Sequence, residues 1–226
     1  MNNKLLFFGC SFTNVESSKT NIQFENYRYK LSKNANLNHK SYAEPGKSNE
    51  HIIDDIYHYS NAEIDKNDIF VIQYSFFDRL GMRMDICNDG FISMCKRENP
   101  ENFNDKVRIN LYNHWLKYFY SKKGSIIEFE KNVNLISNWL NSKGIKFISI
   151  GFDLDMDLFS DKFYEKNNFV KFDNTFSMYK KAIEEKLRIY DLGTGEEYDD
   201  YHLNETGHIY LSNKITDKLK ELEYII

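Results

Sequence analysis

Two hydrophobic rhythms alternate along this chain. The first is the short unbroken run: Leu5-Leu6-Phe7-Phe8 ahead of Gly9 and Ile69-Phe70-Val71-Ile72 after Asp68, with Phe147-Ile148-Ser149-Ile150 before Gly151 a further strand interrupted by one serine. Apolar runs of this length, bounded by turn residues, mark strands buried on both faces. The second rhythm is helical. Ile52, Ile53, Ile56 and Tyr57 share a face, with Ser48 or Asn49 placed to cap it. Ile126, Phe129, Val133, Ile136 and Leu140 form one stripe of a helix over 125–142, and Gly144 fits its stop. Ile209, Leu211, Ile215, Leu219 and Leu222 predict the face of a last helix capped by Asn204. Weaker patterns predict a helix over 22–31, a short strand over 37–42, a helix over 174–187 and a short final strand over 188–191.

Strands alternating with helices imply a parallel sheet covered on both faces, a three-layer α/β/α arrangement of five strands. Residues 80–124 break the alternation. They mix Met, Cys and charge, then give an aromatic stretch over 111–120, and read as an insertion after the third strand with at least one helix, set over the strand ends. No linker or repeat divides the 226 residues, so 1–226 reads as one domain.

Composition then narrows the class. Apolar residues make up 41%, enough for a core and too many for a disordered chain. A net charge of −4 argues against nucleic acid as the main partner, since phosphate binding needs a basic surface. Three cysteines, Cys10, Cys87 and Cys95, have no metal-like spacing, which fits a reducing compartment. Leu5 to Phe8 is too short for a secretion signal, whose apolar region needs about 7–15 residues. No run approaches a membrane span. The expectation is a cytoplasmic protein. Aromatics, at 16%, belong mostly to the core, though a surplus of Tyr can also line a sugar-binding cleft.

The chemistry-bearing residues sit at the two ends. Ser11 follows Gly9-Cys10 at the carboxyl end of the first strand, where open α/β sheets collect their ligands. A serine hydroxyl is a weak nucleophile until a base removes its proton and a third group orients that base. Asp199 lies three residues before His202, a spacing that lets a loop fold the carboxylate back on Nδ1 while Nε2 faces Ser11. Taken singly, His202 reads as a helix-entry residue and Ser11 as a cap. Together, at opposite ends of an α/β chain, they point to catalysis.

Gly9-Cys10-Ser11-Phe12-Thr13, Gly46 with Ser48-Asn49, the strand and turn of Val71 to Asp78, and Asp199-x-x-His202-Leu203-Asn204-x-x-Gly207-His208 together resemble the successive blocks of the SGNH (GDSL-like) hydrolase family. The resemblance implies a flavodoxin-like sheet, a Ser11–His202–Asp199 triad and acyl-ester chemistry. It also implies an oxyanion hole from the backbone N–H groups of Ser11 and Gly46. Two positions depart from the family pattern. Cys10 replaces an Asp and is expected as a packed thiol pointing away from Ser11. Phe77 falls where the family has its oxyanion Asn, and phenylalanine donates no hydrogen bond. Asn49 is the first candidate to replace that donor, Ser75 the second. A hole that runs on its two backbone donors alone and a catalytically silent site are the other outcomes.

Weaker signals complete the reading. Ser75, Arg79 and Trp115 are candidate substrate contacts, with a surface ion pair to Asp78 or Asp85 the competing role for Arg79. Asp153-Leu154-Asp155-Met156-Asp157 lacks the Gly and Glu of a calcium loop and reads as a solvated acidic turn. His208 reads as structural. No cofactor or metal is implied, although acetyl-CoA is a candidate co-substrate. The expected function is a serine-nucleophile acyl-ester enzyme acting on carbohydrate O-acetyl groups. O-acetyl transfer to a sugar hydroxyl of a surface polysaccharide is preferred slightly over ester hydrolysis, because a chain with no export signal meets acetyl-CoA and glycans under construction. An inactive carbohydrate-binding module is the non-enzymatic alternative.

Overall fold

The computed structural model describes residues 3–13, 25–61, 65–77, 79–83, 91–95, 106–188 and 202–226. Its elements are, in chain order, β1 (Lys4–Phe8), α1 (Tyr27–Ala35), β2 (Asn38–Ser41), α2 (Asn49–Asn61), β3 (Ile69–Gln73), β4 (Arg79–Arg83) and β5 (Phe91–Cys95). They continue with α3 (Lys106–His114), a π-helical turn (Trp115–Phe119), α4 (Lys122–Lys143), β6 (Lys146–Ile150), a 3-10 turn (Leu154–Leu158), α5 (Asp161–Lys166), α6 (Met178–Glu184) and α7 (Glu205–Glu221).

Parallel strands in the order β2-β1-β3-β6 form the main sheet, so the two most apolar runs are its centre. Phe7 pairs with Val71, and Val71 with Ile148. Side chains alternate across a strand. Leu5, Phe7, Ile69, Val71, Ile148 and Ile150 therefore face one layer, built from α1, α6 and α7. Leu6, Phe8, Phe70, Ile72 and Phe147 face the other, built from α2, α4 and α5. Each layer presents the stripe its sequence foretold: Phe129, Val133, Ile136 and Leu140 on α4, and Leu211, Ile215 and Leu219 on α7. Ser121 caps α4 by accepting from the Gly124 N–H. Gly144 ends it at φ 67°, where its N–H donates to the Asn141 and Leu140 carbonyls.

Two expectations need correction, and the insertion holds a hairpin besides its expected helix. The sheet has four strands among the described residues, not five. Arg188 makes only an isolated antiparallel bridge with Leu203, and 189–191 lie outside the described residues. The free edge of β6 is occupied instead by an irregular segment, which touches it through parallel bridges Ser149–Phe169 and Gly151–Ser177. The insertion after β3 opens with an antiparallel hairpin, β4 paired with β5 from Arg79–Cys95 to Arg83–Phe91, before its helix. On α7, Ile209 is 42% exposed, because His208 takes the inward position beside Leu211 and Ser212. Among the described residues, no helix is long and apolar enough to cross a membrane.

Candidate active site

The carboxyl ends of β1 and β3 lie side by side at the centre of the sheet, and the sequence blocks converge there. After β1 the chain makes a tight turn, closed by the Thr13 N–H donating to the Cys10 carbonyl at 3.0 Å. A side chain at Gly9 would put its Cβ 2.3 Å from Thr13 Oγ1, so the turn can form only with glycine there. Cys10 is fully buried, its Sγ accepting from Gln73 Nε2 at 3.7 Å, as a packed thiol should. Ser11 stands half-buried at the corner of this turn. Among the described residues, the Ser11 N–H donates to no acceptor.

The chain past β2 runs alongside. Tyr42 N–H donates to the Phe7 carbonyl (2.8 Å) and Glu44 N–H to the Gly9 carbonyl (3.3 Å), which carries 42–47 up to the Ser11 turn. Glu44-Pro45-Gly46-Lys47 then reverses direction, with Lys47 N–H donating to Glu44 O at 3.5 Å and Gly46 at φ 83°. Proline second and a left-handed glycine third are what a type II turn requires. Gly46 is exposed, and its N–H too donates to nothing among the described residues.

Asn49 does not replace the missing oxyanion donor. It is 4% exposed, and its carboxamide is committed to the turn after β3: Oδ1 accepts from the Ser75 N–H (2.7 Å), and Nδ2 donates to the Ser75 and Phe76 carbonyls (3.3 Å each). Both amide hydrogens are thereby spent. Ser75 is fully buried with an Oγ that has no partner among the described residues. Phe77 packs its ring 4.4 Å from that of Phe129 on α4, and its N–H donates to Asp153 Oδ2 (2.9 Å). The acidic stretch over 153–157 is exposed at Leu154 and Asp157 as a solvated turn would be, but Asp153 departs from that reading. Asp153 is 3% exposed, and Asp157 accepts from the Phe176 N–H, Thr175 and Lys180. These contacts hold the Asp157 carboxyl below the usual carboxylate range despite the opposing effect of partial burial. Among the described residues, no group of three His, Cys, Asp or Glu is placed to hold a metal ion.

His202 arrives from the far end of the chain. Its position is set by the residues after it. The Leu203 backbone bridges Arg188, and the Asn204 N–H donates to the Leu187 carbonyl (2.8 Å). Asn204 Nδ2 donates to the Lys186 and Arg188 carbonyls, while its Oδ1 accepts from the Gly207 N–H and so caps α7. A Cβ on Gly207 would lie 2.5 Å from the Leu187 carbonyl oxygen. The Leu203-Asn204-x-x-Gly207 pattern is thus the anchor that holds the histidine. The half-buried His202 ring lies 5.0 Å from the ring of Phe12, the neighbour of Ser11. Phe12 stacks on Phe152 at 3.9 Å, and Phe76 and Tyr179 complete an aromatic floor beside the His202 ring. The two ends of the sequence do meet. Asp199, the proposed orienting carboxylate, lies outside the described residues, as do Asp78 and Asp85.

Arg79 and Trp115 also converge, beside this edge. They share a cleft of about 160 Å³ with Asn49, Phe77, Tyr120 and Glu128. Arg79 Nη1 donates to the Lys47 carbonyl (3.2 Å), while its buried Nε has no partner among the described residues. Among the described residues of the insertion, Tyr112 and Trp115 are buried in one cluster with Tyr120, and Trp115 and Tyr120 line the cleft. Sequence reasoning missed Gln73 and Asp153 as builders of the site, whereas Thr13 and Asn204 stood in its sequence blocks and Asn204 caps α7 as expected. A glutamine closing an otherwise apolar strand was the one visible signal.

No protein-family model matches the sequence, and no curated protein does. Solved structures match across nearly the whole chain. One is the psychrotrophic esterase EstA from Pseudoalteromonas sp., solved inhibited by monoethylphosphonate: 9% identity, 98% of this chain and 99% of that one, TM-score 0.51. Another is the acetyl xylan esterase Est2A from the rumen bacterium Butyrivibrio proteoclasticus: 13% identity, 99% of this chain and 65% of that one, TM-score 0.51. What the chain shares with them at these identities is the fold, the α/β arrangement expected from its resemblance to the SGNH hydrolases.

Proposed function

We propose that this chain is a serine esterase. In the reaction, Ser11 Oγ attacks the ester carbonyl as His202 Nε2 takes the hydroxyl proton. The carbonyl oxygen becomes an oxyanion held by the Ser11 and Gly46 N–H groups. Collapse breaks the ester C–O bond, His202 returns the proton to the departing alcohol, and the acyl group stays on Ser11. Water then attacks with His202 again as base, releasing the acid and restoring the serine. Asp199 is assigned the orienting role on His202 Nδ1. The observation that carries the reading is the meeting of the Ser11 turn with the His202 segment across Phe12, next to two backbone N–H groups with no other acceptor among the described residues.

With Phe77 turned into α4 and Asn49 spent on the backbone, the oxyanion rests on main-chain donors. Losing one such donor elsewhere costs about 10²–10³ in rate, so a slow enzyme is the expectation. The cleft of Arg79 and Trp115 is assigned to the part of the substrate that does not react. Acetyl groups on carbohydrate remain the preferred ester, in keeping with the acetyl xylan esterase among the similar structures. The sequence-based preference for O-acetyl transfer from acetyl-CoA gives way here to hydrolysis, because the proteins sharing the fold are named as esterases. Transfer would use the same acyl-Ser11 intermediate.

A phosphonate inhibits the similar Pseudoalteromonas enzyme, and a fluorophosphonate probe tests the assignment here. Wild-type protein should be labelled at Ser11, identified by peptide mass, and Ser11→Ala and His202→Ala should not. Absence of labelling in wild type overturns catalysis in favour of a binding protein. Acetate release from a chromogenic ester without acceptor supports the esterase. CoA release from acetyl-CoA only when a glycan is added supports the transferase.

A further inference from the structure

Beneath the Ser11 turn runs a chain of buried polar groups that the chemistry above does not use. Gln73 is 1% exposed at the end of β3. Its Nε2 donates to Cys10 Sγ, and its Oε1 accepts from Thr13 Oγ1. Thr13 Oγ1 in turn accepts from the Tyr27 hydroxyl at 3.2 Å. Tyr27 opens α1, where its backbone N–H donates to His208 Nδ1 (3.3 Å) and its ring stacks on the imidazole at 6.1 Å and 14°. Asn26, the cap of α1, donates through Nδ2 to the Thr13 carbonyl (3.3 Å). Thr13, Tyr27 and His208 are all fully buried.

Burying polar groups is costly unless each finds a partner, and a satisfied network fixes one geometry where an apolar core would tolerate several. The location gives this network its meaning. One end grips the turn on both sides of Ser11, through Cys10 and Thr13. The other end grips α7, the helix that the chain enters directly from His202. Burial drives the His208 pKa down to about 3, so the imidazole stays neutral and its Nδ1 can accept from Tyr27. The aromatic floor joins the same two segments by packing, which is far less directional than a hydrogen bond.

We propose that Gln73, Thr13, Tyr27 and His208 are positioning residues, which set the Ser11 hydroxyl against the His202 imidazole. The inference rests on the Ser11–His202 reading of the site. Each acts through the turn or the helix. Because misplacement by about 1 Å can cost 10²-fold, even one lost hydroxyl in the chain should be visible in rate.

The test compares Thr13→Val, which keeps the shape and removes the hydroxyl, with Thr13→Ser, which keeps the hydroxyl. Tyr27→Phe removes a single O–H from the other side. Each is measured by the rate of fluorophosphonate labelling at Ser11, by kcat and KM on a chromogenic acetate ester, and by circular dichroism. Folded Thr13→Val and Tyr27→Phe should label about 10-fold more slowly and lose a similar factor in kcat, with KM within about twofold, and Thr13→Ser should recover most of the rate. Wild-type labelling rates in Thr13→Val and Tyr27→Phe overturn the proposal, as does a Thr13→Ser variant as slow as Thr13→Val. If Thr13→Val does not fold, Tyr27→Phe alone decides. A wild-type protein that is not labelled at Ser11 overturns the site reading itself, which is a distinct result.

Discussion

At the residue scale, the side chains that do most for this site are short amides holding backbone. Asn49 and Asn204 each satisfy several main-chain groups, Asn49 in the turn after β3 and Asn204 in the entry to α7 that follows His202. Asn49→Ala should lower the urea midpoint by the equivalent of about 2–4 kcal/mol, since it orphans a buried N–H and strips two carbonyls. Asn49→Asp keeps the acceptor for the Ser75 N–H but turns a carboxylate toward the Ser75 and Phe76 carbonyls. Only its protonated form can donate there, so its folded pKa is raised above the unfolded value. The Asp variant should therefore be weaker than Asn49→Ala at neutral pH and gain stability relative to it as pH falls, in urea titrations at several pH values. The asparagines were visible in the sequence as residues, but their partners were not. Asn49 reaches a turn 26 residues away, and Asp153 reaches back 76 residues to the Phe77 N–H. Distances of that kind leave no local pattern, which is why Asp153 read as solvated with the rest of its stretch.

Elements were legible in proportion to how much apolar surface they bury. The apolar runs of β1, β3 and β6 gave strands within a residue or two of their true limits, and the stripes of α4 and α7 gave helices with their caps. The hairpin was not foreseen, and the expected strand over 188–191 lies mostly outside the described residues. The edge of β6 is held by two bridges within an irregular segment. On α7 the sequence favoured Ile209 over His208 for the inward face, yet helical spacing to Leu211, Ser212, Ile215 and Leu219 selects the histidine. That choice has a pH signature. His208 has a folded pKa well below its unfolded value, with burial the main cause and the nearby His202 a smaller one. Below about pH 6.5 the unfolded chain takes up a proton that the native state refuses, so stability falls with pH by at most about 1.4 kcal/mol per unit. His208→Gln should flatten that slope in urea titrations between about pH 6.5 and 4, whatever its effect at neutral pH.

For the whole molecule, both faces of the sheet must be covered before the site exists. The layer that contains α1, α6 and α7 includes three fully or nearly fully buried aliphatic residues of α7, Leu211, Ile215 and Leu219. Burying each is worth about 1.5–3 kcal/mol, and together they rival the total stability of a typical domain, about 5–15 kcal/mol. A chain cut after residue 201 should therefore lose near-ultraviolet circular dichroism and give no fluorophosphonate labelling. Retention of a cooperative thermal transition in that truncated chain would show that α7 is an appendage.

The placement of the two reacting groups also orders events in time. Translation runs from the amino end, so the hydroxyl of Ser11 leaves the ribosome long before the imidazole of His202 has been added. A half-made chain carries a serine with no base, chemically as inert as any surface alcohol. On the proposed assignment, Ser11 gains its base only after synthesis has passed His202 and α7 has docked.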